Sequence, residues 1–163
     1  MAKKIHDPDS YAWSIVRIGL GYIFLWAFID KLFGFGVATC KGLSVGCKQA
    51  WLHGGSPTTG FLGHATTGPF ANFYHHLAGH TWVDWAFMLG LLFIGIGLFF
   101  GTWVKSAAVA GMAMLALMWS ALLWPVNTPG VDEHIIYMLV LFGLLVTDAK
   151  PRWALKIPGI NLP

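Results

Sequence analysis

The stretch DWAFMLGLLFIGIGLFFG, residues 84–101, decides the fold. After Asp84 it holds no charged residue, and polar and apolar positions do not alternate along it. At 1.5 Å per residue, a helix of this size nearly covers a hydrocarbon core of roughly 30 Å. Only helices and closed barrels satisfy their own backbone in lipid, and the missing alternation argues against a barrel strand.

Three further apolar runs surround it. The expected architecture is an all-α, four-transmembrane-helix bundle forming one domain over residues 1–163, with spans near 12–32, 83–101, 106–124 and 131–147. Composition agrees: 56% of the residues are hydrophobic and 10% are charged. Soluble domains carry roughly a quarter charged residues. A net charge of +3 from so few charges does not point to nucleic acid. The first run contains Arg17 and Asp30, and no small-x-small cleavage site follows it, so it reads as a span rather than a signal peptide.

With four spans, Lys3, Lys4, Arg17, Lys105, Lys150, Arg152 and Lys156 fall on one side, which the basic-residue bias makes cytoplasmic. Both termini are then cytoplasmic. A long loop, 33–82, and PVNTPG at 125–130 face outward. Ser56-Pro57 and Gly68-Pro69 in the long loop read as starts of short helices. Trp51, Phe61, Phe70, Phe73, Tyr74 and Trp82 fit an interfacial aromatic belt. The pairs Gly97/Gly101 and Ala107/Gly111 are positions for close helix packing.

The ionisable residues of the spans gather at their outer ends. Asp30 and Lys31 close the first, Asp84 opens the second, and Asp132, Glu133, His134 and Tyr137 open the fourth. Each has two readings. Asp132 and Glu133 complement a helix dipole or belong to a site. Lys31 snorkels to headgroups or serves a site. An acid such as Asp30 is costly against lipid and needs a cation or a donor from a neighbouring element. Arg17 is expected to be structural.

Cys40 and Cys47 enclose a short, glycine-containing loop, so a disulfide is sterically feasible in an oxidising compartment. It is either a staple or a redox-active pair. Lys41 and Lys48 beside the two cysteines would favour thiolate. Five of the seven histidines lie between residues 33 and 82, with His76 and His80 four apart. No metal-binding, haem-attachment, nucleotide-binding or Ser-His-Asp pattern accompanies them, and surface or hydrogen-bonding roles are expected.

FLWAFIDKLFG (24–34), GGSPTTGFL (54–62), GPFANFYHHLAG (68–79), the stretch at 84–101 and NTPGVDEHIIYMLVLFGLL (127–145) together resemble the DoxX/DoxD family of small four-helix membrane proteins. The likeness is nearest to DoxD, the membrane subunit of thiosulfate:quinone oxidoreductase. That resemblance implies oxidation of thiosulfate to tetrathionate with electrons passing to membrane quinone, in a bacterial or archaeal cytoplasmic membrane. It also implies that a DoxA-like partner subunit often accompanies the chain, expected here as a separate polypeptide or absent because the chain ends about sixteen residues after the last span. Self-association is a further expectation.

With that reaction in view, Trp26, Trp85, Trp119 and Tyr137 are expected to wall a quinone slot. Glu133 and His134 would deliver protons, with Asp30 and Lys31 in support. Lys31, Lys41 and Lys48 would attract thiosulfate, and Cys40 with Cys47 would carry electrons by thiol–disulfide exchange. No metal or flavin is expected. The competing expectations are a non-enzymatic scaffold, a small-anion binding or transport module, or a thiol-oxidising membrane protein.

Overall fold

The structure is a computed structural model that describes residues 8–125, 128–147 and 153–155. Its regular elements among these residues are all helical. They are α1 (Pro8–Phe33), α2 (Ala71–Leu77), α3 (Thr81–Phe100), α4 (Val104–Ala121) and α5 (Glu133–Val146). Between α1 and α2 lie a 3-10 turn at Trp51–His53 and a wide helical turn at Phe61–Ala65.

Three helices, α1, α3 and α4, are long and apolar enough to cross a membrane. The fourth, α5, is apolar but has 14 residues, about 21 Å at 1.5 Å per residue, short of the hydrocarbon thickness. The outward surfaces carry large apolar side chains such as Ile15, Ile23, Leu89, Phe93, Val109 and Leu139. Such surfaces suit lipid and are unfavourable in water. Of the basic residues used for orientation, Lys3, Lys4, Lys150, Arg152 and Lys156 lie outside the described residues.

Helix α1 packs on α3, α3 on α4 and α4 on α5. In lipid the attraction between helices is chiefly van der Waals packing, so close approach matters most. Gly21 of α1 meets the backbone of Leu98 and Phe99, where any side chain would collide. Gly97 faces Ala107, and Gly111 faces Leu141 and Ile94. Gly101 has a different use. It ends α3 in a left-handed conformation, φ 74°, which glycine adopts without strain.

The larger of two apolar clusters fills the bundle interior and includes Leu20, Phe24, Met88, Ile94, Leu115 and Leu141. Arg17 is the largest of the polar side chains buried at this level, with 1% exposure, alongside Ser14 and Thr102. Its guanidinium donates to the carbonyls of Leu98 and Phe99, which have no partner within their own helix. The structural role expected for Arg17 is met by backbone carbonyls of α3.

The helix ends differ from the expected spans. Helix α4 stops at Ala121 rather than at Trp124. The Ala121 carbonyl is taken by the Thr67 N–H at 2.9 Å, and Pro125 disfavours helical geometry at the residue before it. Lys105 lies in the first turn of α4, not in the preceding turn.

Candidate functional site

The end of α1 organises the site, because its last two ionisable residues face different surroundings. Asp30 is buried, with 2% exposure. Its carboxylate accepts the N–H groups of Val37 at 3.4 Å, Ala38 at 3.0 Å and Thr39 at 2.7 Å. Gly34 turns the chain back, its N–H bonding the Asp30 carbonyl at 2.7 Å. The donors that relieve this buried acid come from the loop directly ahead of Cys40.

Cys40 and Cys47 form a disulfide, with Cα atoms 5.8 Å apart. Cys40 has 0% exposure and lies against Gly34, where a Cβ would come within 2.7 Å of its sulfur. Cys47 is half-buried, and its sulfur accepts the Gln49 N–H at 3.3 Å. Lys41 and Lys48 are exposed on either side of this loop.

Lys31, one residue further along α1, points elsewhere. Its ammonium lies 5.9 Å from the centre of the Phe87 ring and has no hydrogen-bond or ion-pair partner among the described residues. It lines a cavity of about 440 Å³ whose other walls are almost wholly apolar. Helix α3 contributes Trp82 and Phe87, α4 contributes Met114 and Leu117, and α2 contributes Phe73 and Tyr74. The roof is Pro57, Thr58, Phe61 and Leu62.

Two polar latches hold that roof and wall. Asp84, buried in the first turn of α3, accepts from the hydroxyls of Ser56 at 2.8 Å and Thr58 at 2.6 Å. The Ser56 hydroxyl also accepts the Thr59 N–H at 3.1 Å, so Ser56 starts the helical turn expected at Ser56-Pro57. The Tyr74 hydroxyl donates to the Leu117 carbonyl at 3.1 Å and shares a 2.5 Å hydrogen bond with Ser120, tying α2 to the end of α4.

The acids of α5 lie apart from this cavity. Asp132 caps the helix, accepting the N–H groups of His134 at 3.0 Å and Ile135 at 3.3 Å, and it meets the His134 ring at 2.8 Å. Burial pushes the Asp132 carboxyl up, but the hydrogen bonds from the His134 ring and the two backbone N–H groups outweigh it and leave it below its ordinary value. Glu133 is exposed. Asp132, Glu133 and His134 offer ligand atoms within 4.8 Å of one another, but exposed acidic groups are commonly found so without an ion.

The four aromatics expected to form a slot are dispersed. Trp26 stacks between Tyr22 and Phe35, Trp85 meets Trp51 edge-on at 4.7 Å, Trp119 donates to the Gly130 carbonyl at 3.1 Å, and Tyr137 packs against the apolar core. None of the four lines the cavity beside Lys31. Of the expected site residues, that cavity holds Lys31 alone. Its aromatic walls are Phe61, Phe73, Tyr74, Trp82 and Phe87. Phe61, Phe73, Tyr74 and Trp82 fit an interfacial belt by sequence alone, and nothing in the sequence singles out Phe87. The signals that point to them are the buried acid Asp84 and the Ser56 and Thr58 hydroxyls of GGSPTTG that it binds.

Compared with protein-family models, curated proteins and solved structures, the chain matches none.

Proposed function

We propose that this chain is a DoxD-like membrane oxidoreductase component that binds quinone beside Lys31 and couples its reduction to thiosulfate oxidation. The observation that carries the proposal is the cavity itself, an apolar, aromatic-walled space with a single ammonium that has no hydrogen-bond or ion-pair partner among the described residues. A quinone ring needs flat apolar walls and a donor for a carbonyl oxygen, and the residues present fit both needs. In the net reaction two thiosulfate ions become one tetrathionate, and the two electrons released, with two protons, convert quinone to quinol. Lys31 holds the ring oxygen and a proton beside it, while the walls exclude water.

In this function α5 is the fourth span, the termini are cytoplasmic, and the disulfide loop and the Lys31 cavity lie on the outer side. The exposed Lys41 and Lys48 attract the thiosulfate dianion there. The disulfide acts as a staple, because Cys40 is fully buried and Asp30 anchors the loop before it. Glu133 and His134 are not required.

A specific observation favours a second reading. The bundle interior is packed with apolar side chains, as a non-enzymatic binding or scaffold module requires. The test is purified protein in nanodiscs, mixed anaerobically with thiosulfate and a decyl-tailed benzoquinone. The oxidoreductase yields one tetrathionate for each quinone lost from the absorbance spectrum. Unchanged quinone and thiosulfate, with the quinone bound, would replace it with the binding module.

A further inference from the structure

The walls of the Lys31 cavity differ in what they face. Phe61, Leu62 and Tyr74 close it from the side of the 56–78 segment and belong to a small apolar cluster there. The opposite rim is open. Trp82 at 63%, Phe73 at 58% and Leu117 at 61% exposure line the cavity and are also part of the outer surface, and Ala86 beside them is exposed. Phe73 belongs to α2, Trp82 and Ala86 to the first two turns of α3, and Leu117 to the last two turns of α4, and both α3 and α4 are long and apolar enough to cross a membrane.

A rim made of apolar side chains on helices long and apolar enough to cross a membrane suits lipid better than water. We propose that the cavity is filled laterally from the membrane. A tailed ligand places its oxygen-bearing ring against Lys31 and leaves its alkyl tail across the rim formed by Trp82, Phe73 and Leu117. The inference rests on the quinone reading but adds a route and an orientation. Charge fixes the orientation. Lys31 is the one cationic group in the lining, and a ring oxygen is the ligand atom that accepts from it, while the tail has no polar partner there. Lys31 is therefore the group that sets specificity, and an alkane or an uncharged lipid tail alone gains nothing from it.

The test uses a benzoquinone carrying a photoreactive group on a decyl tail, added to the full chain in nanodiscs and located by peptide mass spectrometry after illumination. Label is expected on peptides containing Trp82, Phe73 or Leu117. Lys31→Met should reduce labelling about tenfold at a fixed quinone-to-lipid ratio, the scale of a lost hydrogen bond to a charged group, and Lys31→Arg should restore most of it. Ala86→Phe, which fills the rim from an exposed position, should compete with the tail and reduce labelling while leaving the fold intact. Label confined to residues 33–55, or equal labelling of wild type and Lys31→Met, would overturn the proposal. Correct labelling without thiosulfate-dependent quinone reduction would keep this entry route and discard the redox reaction alone.

Discussion

Asp30 and Lys31 are adjacent in the chain yet serve different surroundings at the end of α1. The Asp30 carboxylate takes the Thr39 N–H at 2.7 Å, while the Lys31 ammonium lies 5.9 Å from the Phe87 ring in a different compartment. Successive helical residues diverge by about 100°, so one helix end can anchor a disulfide loop and supply a cation to a cavity at once. An acid and a base side by side need not pair with each other when each has its own task.

Replacing Asp30 with alanine removes the acceptor for three backbone N–H groups. A hydrogen bond to a charged group contributes about 1.5–3 kcal/mol, so a loss of about 3 kcal/mol is expected. Asp30→Asn should cost less, because its carbonyl oxygen can keep the Ala38 and Thr39 N–H groups while its NH2 faces the Val37 N–H. Thermal unfolding in detergent measures the loss. Faster reduction of the Cys40–Cys47 bond by a mild thiol should accompany it, and an unchanged reduction rate would separate Asp30 from the loop.

Replacing both Cys40 and Cys47 with serine tests the staple. Loop-closure entropy for so short a ring corresponds to about 2.5 kcal/mol. The double variant should unfold at lower temperature yet bind the tailed quinone as wild type does. If it folds normally but loses thiosulfate-dependent quinone reduction, the disulfide is an electron carrier and the staple assignment fails.

Asp84 holds the roof of the cavity through Ser56 and Thr58. Asp84→Ala leaves two hydroxyls without their acceptor, at a cost of about 2 kcal/mol. Quinone affinity should fall about tenfold as the 56–62 segment lifts, while α1, α3 and α4 keep their helical content by circular dichroism. Titration with the tailed quinone measures the first effect, and an unchanged affinity would show that the roof does not shape the site.

Asp132 gives a pH dependence with a definite sign. Its carboxyl is held below the ordinary value of 3.8 in the folded protein. Its contribution is therefore fully present above about pH 4 and is lost as pH falls through the folded value. Asp132→Ala should cost about 1 kcal/mol at neutral pH, the usual loss of a helix cap. Melting curves of wild type and variant should converge only in strong acid, and convergence already at pH 6 would contradict this.

The helices were legible in the sequence because apolar runs of bilayer length have few other uses. Their ends were less so. Ala121 ends α4 because Thr67, distant in sequence, takes its carbonyl, and spacing carries no record of that. Asp30 could be read as an acid in need of relief, but donors drawn from backbone N–H groups leave no trace in residue types. The aromatic slot illustrates the same limit. Periodicity shows that Trp26 and Asp30 share a face, but not which neighbour that face meets. Trp26 meets Phe35, and the cavity is walled by Phe87 and Tyr74, whose sequence neighbourhoods resemble any packed or interfacial aromatic.

The most direct test of the account is an anomalous-scattering crystal structure of the protein soaked with a ring-brominated, decyl-tailed benzoquinone. The account predicts a bromine peak inside the cavity between Phe87, Tyr74 and Leu117, within reach of the Lys31 ammonium. A peak beside Trp26 or Trp85, or a fully occupied site elsewhere with this cavity empty, would contradict it.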